Sequence, residues 1–289
     1  AQRFQRSAFR GDAVSAQNAS ADADNVVNLL QPVQRSEDDI ANIFVSKHGN
    51  DFKYISDAQK WAYWSGSRWE RDQKNRVLHR IRMICREQAR VANGLGRQTK
   101  LSSQNTVASV ARMASADPRC TMLADEFDAD KFLLNTPDGY LDLAQPRPKL
   151  CPHDRGRYMM RMAGATPDTA CPTPYWTAFL NTVCGGDQEL IAFLQRVTGY
   201  SLTGSVQEHA LFFLYGGGAN GKSTFINVLT QLLGDYHRAS AMDAFLEKKF
   251  QSHSTEIADL AGARLVTASE NDRGTYWAEA SIKALTGGD

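Results

Sequence analysis

The sequence lacks any cysteine pairing that would staple a small fold. Its five cysteines (Cys85, Cys120, Cys151, Cys171 and Cys184) are odd in number, widely spaced and without a Cys-x-x-Cys pair. A disulfide framework and a zinc ribbon are therefore not expected, and a reducing, cytoplasmic compartment is. Cys151 and His153 come nearest to a metal pair, but two ligands fall short of the four that zinc takes, so an ordinary loop pair is the expectation. Long apolar runs are missing too. None approaches the roughly 18 residues of a membrane helix, and the polar, Arg-bearing start has no signal-peptide core, so no membrane partner is expected. Nor is there an excess of one charge: 33 Lys and Arg face 32 Asp and Glu, a net of +1. That excludes a uniformly basic nucleic-acid coat and an acidic disordered chain, while leaving local patches open.

What is present is an ordinary globular composition, 42% hydrophobic and 22% charged over 289 residues, a length that suits two domains. The chain starts at Ala1 rather than Met and stops at Asp289 directly after Thr286-Gly287-Gly288, which points to a piece of a longer protein. Residues 1–25 are rich in Ala, Ser, Gln, Asn and Asp and read as a disordered tail or linker. Residues 26–174 read as an α+β domain. Within it, Ile43-Phe44-Val45 and Phe52–Ile55 have strand character, and Trp61–Trp69 reads as a hairpin turning at Ser65-Gly66-Ser67. A helix is expected from Asn75 to Asn93, ended by Gly94 and Gly96, and a second from Gln104 to Ala114. Phe132–Leu143 reads as two strands about Pro137-Asp138-Gly139. A loop from Ala144 to Pro174 holds six of the nine prolines. Residues 175–204 read as a helical linker, with Asp187 as an N-cap and Gly199 as a stop. There is no internal repeat and no heptad pattern.

The near-zero net charge conceals an asymmetry. Arg68–Lys100 holds ten Lys and Arg and three acids, a local +7, whereas 101–142 holds three bases and seven acids, a local −4. The basic helix could meet a phosphate backbone. A solvated face paired with the acidic stretch beside it is the preferred reading.

The decisive segment is Gly216-Gly217-Gly218-Ala219-Asn220-Gly221-Lys222-Ser223, which fits Gly-x4-Gly-Lys-Ser. Glycines let the backbone curl so that successive N–H groups face phosphate oxygens, and the helix that opens near Lys222 adds its positive end. Lys222 is placed to reach the β- and γ-phosphates, Ser223 to ligate Mg²⁺, and Thr224 to complete the loop. Composition alone yields this motif on the order of once per hundred such chains. Its flanks sharpen it: Ala210–Tyr215 is an apolar run of strand length, and Phe225, Val228, Leu229 and Leu232 stripe a helix. Such a loop needs an acid from another strand. Leu265–Ala268 has strand character, with Glu270 at its C-terminal end and Asp272 beside it, positions suited to metal or water.

Residues from about Trp176 to Asp289 resemble the superfamily 3 helicases of phage and plasmid primases, including the satellite-phage and poxvirus primase-helicases. The carriers are Phe193–Gly204, Gly216–Thr224, Leu233–Tyr236, Ser269-Glu270 and Lys283–Asp289; Leu133–Leu143 and the Trp-rich hairpin are similar to the domain that precedes that motor. The resemblance implies an α/β fold class, a partial P-loop NTPase motor of AAA+-like type at 205–289, preceded by the mixed α+β and helical domain. It implies an ATP-dependent DNA helicase using ATP and Mg²⁺, with Lys222 and Glu270 catalytic, Ser223, Glu270 and Asp272 near the metal, and Lys283 leading toward a DNA-contacting hairpin. The implied partners are DNA, other copies in a hexameric ring, and a primase domain or subunit. The family's sensor, DNA hairpin and arginine finger fall after Asp289, so residues 1–289 alone are expected to hydrolyse ATP negligibly. The competing readings are a P-loop ATPase of another branch, such as a packaging motor, and a non-hydrolysing DNA-binding or assembly module.

Overall fold

The computed structural model describes residues 35–245, 260–269, 278, 282, 283, 286 and 287. The expected tail at 1–25 lies outside these residues. Among the described residues the fold is mixed α/β, with helices and three small sheets. It divides into two compact units, one formed by residues 1–50 and 73–120, the other by 51–72 and 121–289.

The described part of the first unit is all helical: α1 (Glu37–His48), α2 (Arg76–Val91), α3 (Leu95–Leu101) and α4 (Gln104–Ser115). The expected strand at Ile43-Phe44-Val45 is instead the middle of α1. Two facts override the strand propensity of this trio. Ser36 and Asp39 form a reciprocal capping box, with Asp39 N donating to Ser36 Oγ at 3.1 Å and Ser36 N to Asp39 Oδ2 at 2.8 Å. Burial then falls on Ile40, Ala41, Phe44 and Val45, a helical rather than an alternating period. The backbone N–H of Ser36 holds the Asp39 carboxyl below its ordinary range. Glu37, Asp38 and Asp39 occupy the first turn of α1 and Lys47 and His48 the last, as the helix dipole favours.

Helix α2 buries Val77, Ile81, Ile84, Cys85 and Ala89, as its apolar period predicts. It ends at Val91, before the expected glycine stop, and Gly96 lies inside α3 rather than terminating α2. Burial pushes the Cys85 thiol up to about 11, so it behaves as a small apolar core residue. Of the seven acids between 101 and 142, only Asp117 belongs to the same unit as α2. Asp117 is engaged by Arg119 at 2.7 Å and Asp128 by Arg161 at 3.8 Å, while Glu126, Asp130 and Asp142 accept from turn backbone N–H groups.

In the second unit, β1 (Phe52–Ile55), β2 (Lys60–Trp64), β3 (Trp69–Arg71) and β4 (Thr121–Met122) form a sheet in the order β3-β2-β1-β4. The expected hairpin is present, with Trp64 opposite Trp69 and Gly66 at φ +106° in its turn. Trp69, 1% exposed, centres the core of this part with Ile55, Ala62 and Phe127. A second sheet, β5 (Leu133–Thr136), β6 (Gly139–Asp142) and β7 (Leu150–Cys151), turns through Pro137-Asp138, as expected. Gly139, at φ +156°, admits no side chain, because a Cβ there would run into the Cys151 carbonyl.

Asn135 of β5 is fully buried and satisfied from four sides. Its Nδ2 donates to Ser67 O and Arg161 O, both at 3.1 Å, and its Oδ1 meets His153 Nδ1 at 3.1 Å. Its backbone N–H donates to the Tyr236 hydroxyl at 3.1 Å. His153 thereby ties Asn135 to the Pro137 carbonyl, 3.1 Å from Nε2, rather than joining Cys151, whose thiol meets Lys149 O. Among the described residues no group of three His, Cys, Asp or Glu is placed to hold a metal ion.

Helices α5 (Pro174–Val183) and α6 (Gln188–Ser201) follow. Asp187 caps α6 as expected, accepting from Glu189 N and Leu190 N, but the helix runs two residues past Gly199. Further along, the described residues form α7 (Lys222–Leu233), β8 (His237–Ala241) and β9 (Leu265–Ser269). Strands β8 and β9 pair in parallel from His237↔Leu265 to Ala241↔Ser269. The apolar run 210–215 is not a strand. No described strand pairs with it, and Leu211 to Tyr215 are exposed. A strand exists only through a neighbour's hydrogen bonds, so apolar content alone does not make one. No helix among the described residues is long and apolar enough to cross a membrane.

Candidate functional site

The loop 216–221 curls through three positive-φ residues, Gly216 (+144°), Ala219 (+58°) and Gly221 (+84°), and delivers the chain into α7 at Lys222. Gly216 and Gly221 each have a separate reason to be there. A Cβ on Gly216 would meet Asn220 Nδ2 at 2.5 Å. Gly221 combines its positive φ with close packing: a Cβ there would lie 2.5 Å from Val183 Cγ1 and 3.1 Å from the Phe179 ring, both on α5. Gly217 and Gly218 have no heavy atom within 4 Å of a Cβ position and leave the mouth of the loop open.

The base of the loop is an aromatic wedge. Trp176 stacks on Phe179 at 5.3 Å and on Phe225 at 5.9 Å, and Phe225 is buried in the first turns of α7. Sequence reasoning passed over this buttress because α5 carries no motif and a glycine at 221 does not reveal what packs against it.

Lys222 folds back over its own loop. Its Nζ donates to Asn220 Oδ1 at 2.8 Å, Gly216 O at 3.0 Å and Gly217 O at 3.2 Å. Ser223 and Thr224 are exposed on the first turn of α7. An ammonium group beside a helix start attracts an anion, through its charge and through the unpaired first-turn N–H groups. The structure therefore brings Gly216, Gly217, Gly218, Ala219, Asn220, Gly221, Lys222, Ser223 and Thr224 into one loop and turn. Glu270 and Asp272 lie outside the described residues, β9 being described up to Ser269. Lys283 is exposed and helical.

The far end of α7 is fixed as firmly as its start. Gly164 N donates to Leu232 O and Asp235 N to Met162 O, each at 2.9 Å, so a strap at 162–164 lies directly against the helix end. Gly164 and Gly234 permit this approach, since a Cβ on Gly164 would strike the Gln231 carbonyl. Beside them Arg161 donates to Asp235 O at 2.9 Å and Ala261 O at 2.5 Å. Arg264 donates to Leu133 O and Leu202 O, both at 2.5 Å, and its guanidinium lies 4.2 Å from the Tyr236 ring centre. Burial pushes the Tyr236 hydroxyl up to about 12 and Asp128 above its ordinary value, the latter against the pull of Arg161 and Met160 N–H groups and the Arg161 charge. The result is a polar clasp that ties α7, β5 and β9 together.

A glycine loop feeding a helix, held by a clasp to small sheets, defines a mixed α/β protein with an anion-suited loop. Residues 41–185, half of the chain, match the family described as D5 N terminal like, and the chain belongs to that family. It is also similar to a protein of Acanthamoeba polyphaga mimivirus named "Putative helicase L207/L206", with 30% identity over 105 residues. That stretch is 36% of this chain and 11% of the viral protein, so the matched part is about a tenth of the relative's length.

Proposed function

We propose that the chain is part of a primase-helicase-type replication protein, and that residues 216–224 form its Mg-ATP site within a P-loop motor of superfamily 3 type. The single observation that carries this is the loop itself: three positive-φ residues, an open mouth at Gly217 and Gly218, and a lysine ammonium seated among loop oxygens at the start of α7. Membership of the D5 N-terminal-like family and the helicase name of the viral relative support it.

The residues present fit a nucleotide's phosphates. Lys222 would exchange its loop carbonyls for the terminal phosphates, and the first-turn N–H groups of α7 would take the remaining oxygens. Ser223 Oγ would hold the magnesium, with Glu270 and Asp272 the acids assigned to metal and water. Bound Mg-ATP supplies the phosphoryl group whose transfer to water drives motor work. This chain's own residues bind and orient it, and the aromatic wedge of α5 keeps the loop in register with α7. In the whole protein the hydrolysis would be coupled to unwinding DNA, in a ring of copies working with a primase domain or subunit. A second reading, a DNA-binding or assembly module without hydrolysis, draws on the family match, which ends at residue 185, before the loop.

Titration with a fluorescent ATP analogue in the presence of Mg²⁺ tests the proposal. Lys222→Ala is expected to weaken binding by about tenfold or more, at least ~1.4 kcal/mol. Equal affinity of the two proteins would remove the loop from the account.

A further inference from the structure

Helix α2 is built against its own electrostatics. Arg82, Arg86 and Arg90 stand at i, i+4 and i+8, so like charges face each other along one stripe, and such pairs destabilise a helix. His79 falls on the same stripe, three residues before Arg82, and all four residues are exposed. The first turn of α2 has no acid and its N-cap, Asn75, makes no side-chain cap bond, the opposite of α1. The one acid in the helix, Glu87, points its carboxylate to Lys47 at 3.8 Å. No carboxylate of their own unit pairs with Arg82, Arg86 or Arg90 among the described residues. The imbalance extends over the unit: residues 35–50 and 73–120 hold twelve Lys and Arg against five Asp and Glu.

The apolar side of α2 is already committed. Val77, Ile81, Ile84, Cys85 and Ala89 are buried, and the exposed Leu78 and Met83 fall on opposite sides of the arginine row with Val91 at the helix end, so the helix has no continuous apolar face to lay into a lipid surface. What is left outward is a rigid row of guanidinium groups spanning ~12 Å from Arg82 to Arg90 at the helical rise. Guanidinium groups pair bidentately with phosphate. A nucleic-acid strand offers phosphates at a spacing such a row meets several times over. No Phe, Tyr or Trp stands on the stripe to stack a base, and its one ring, His79, sits at the end of the arginine row, so the contact reads backbone charge and not sequence.

We infer that the Arg82–Arg86–Arg90 face of α2 is a phosphate-backbone contact for nucleic acid, separate from the glycine loop. The choice of nucleic acid among polyanions rests on the reading of the chain as a replication protein; the surface itself does not depend on nucleotide binding.

The experiment follows anisotropy of a labelled short oligonucleotide, single-stranded and duplex, with residues 1–289 over about 50 to 200 mM salt. The triple Arg→Gln variant at 82, 86 and 90 is expected to bind both probes about tenfold or more weakly, with the log–log salt slope reduced by about 2 to 3. The triple Arg→Lys variant is expected to keep most of the affinity, which separates charge from fold. Unchanged affinity and slope in the Gln variant would overturn the inference, as would wild-type protein that binds neither probe, or that binds phosphatidylserine vesicles in preference to either. Titration of the Gln variant with the fluorescent ATP analogue keeps the two proposals apart: it is expected to match wild type. Lost DNA binding with intact nucleotide binding supports the surface, whatever the fate of the loop.

Discussion

Trp69→Ala is expected to lower the unfolding free energy of the second unit by about 3–5 kcal/mol, the range for emptying a large aromatic site in a packed core. Trp69 is 1% exposed and surrounded by other rings: Trp64 at 6.0 Å, Phe127 at 6.1 Å and Tyr158 at 6.0 Å. Its Nε1 donates to Arg155 O at 2.9 Å, and its backbone N–H donates to Met159 O at 2.8 Å. Truncation leaves the Arg155 carbonyl without that donor and a hole between β3 and the 155–160 segment, which carries the chain toward the clasp. Urea unfolding followed by circular dichroism reads the effect as a lower midpoint with an unchanged slope. A loss below ~1 kcal/mol would mean that this site collapses freely and that the ring cluster is not the centre of the unit.

Arg264→Ala is expected to cost about 2–4 kcal/mol, because the guanidinium satisfies two backbone carbonyls at once and its removal strands both. The carbonyls belong to Leu133 at the start of β5 and Leu202 at the end of α6, and the backbone N–H of Arg264 meets Tyr236 O at 2.8 Å. One side chain thus sets the entry of β9 against three other segments of the second unit. Arg264→Lys is expected to recover little of the loss, since a single ammonium cannot span two carbonyls and lie flat on the Tyr236 ring. Arg→Lys as stable as wild type in thermal unfolding would reduce the clasp to a simple positive charge.

Much of this fold was legible where a local rule carries the information. The spacing of Val77, Ile81 and Ile84 gave α2, the turn residues gave both hairpins, and Asp187 gave the start of α6. The misreadings share a cause. Ile43-Phe44-Val45 looks like a strand in isolation; the capping box at Ser36 and Asp39 and the burial of Ile40 and Ala41, just upstream, make it helical. Residues 210–215 have the composition of a strand, but pairing is a property of two segments and no described strand lies beside them. Strand β8 is short, polar and partly exposed, so nothing in His237–Ala241 announced it; its partner β9 did the work of forming it. The glycine loop could be read residue by residue, because its side chains are neighbours in sequence. The clasp could not, because Asp128, Arg161, Tyr236 and Arg264 meet only after folding brings together residues as much as 136 positions apart.

The division of labour that emerges is a rigid base and an open loop. Both ends of α7 are fixed, one by the Trp176–Phe179–Phe225 wedge and the other by the strap at 162–164, while the mouth at Gly217 and Gly218 stays clear. The proposed site requires a nucleotide to enter there. Amide hydrogen exchange, compared with and without Mg-ATP, tests it at the residues concerned. Slower exchange confined to the loop and the start of α7, residues 217–224, is the result the account predicts, since those N–H groups would be the phosphate donors, whereas that of Phe225 already donates to Gly221 O. Identical exchange across 217–224 at saturating Mg-ATP would contradict it.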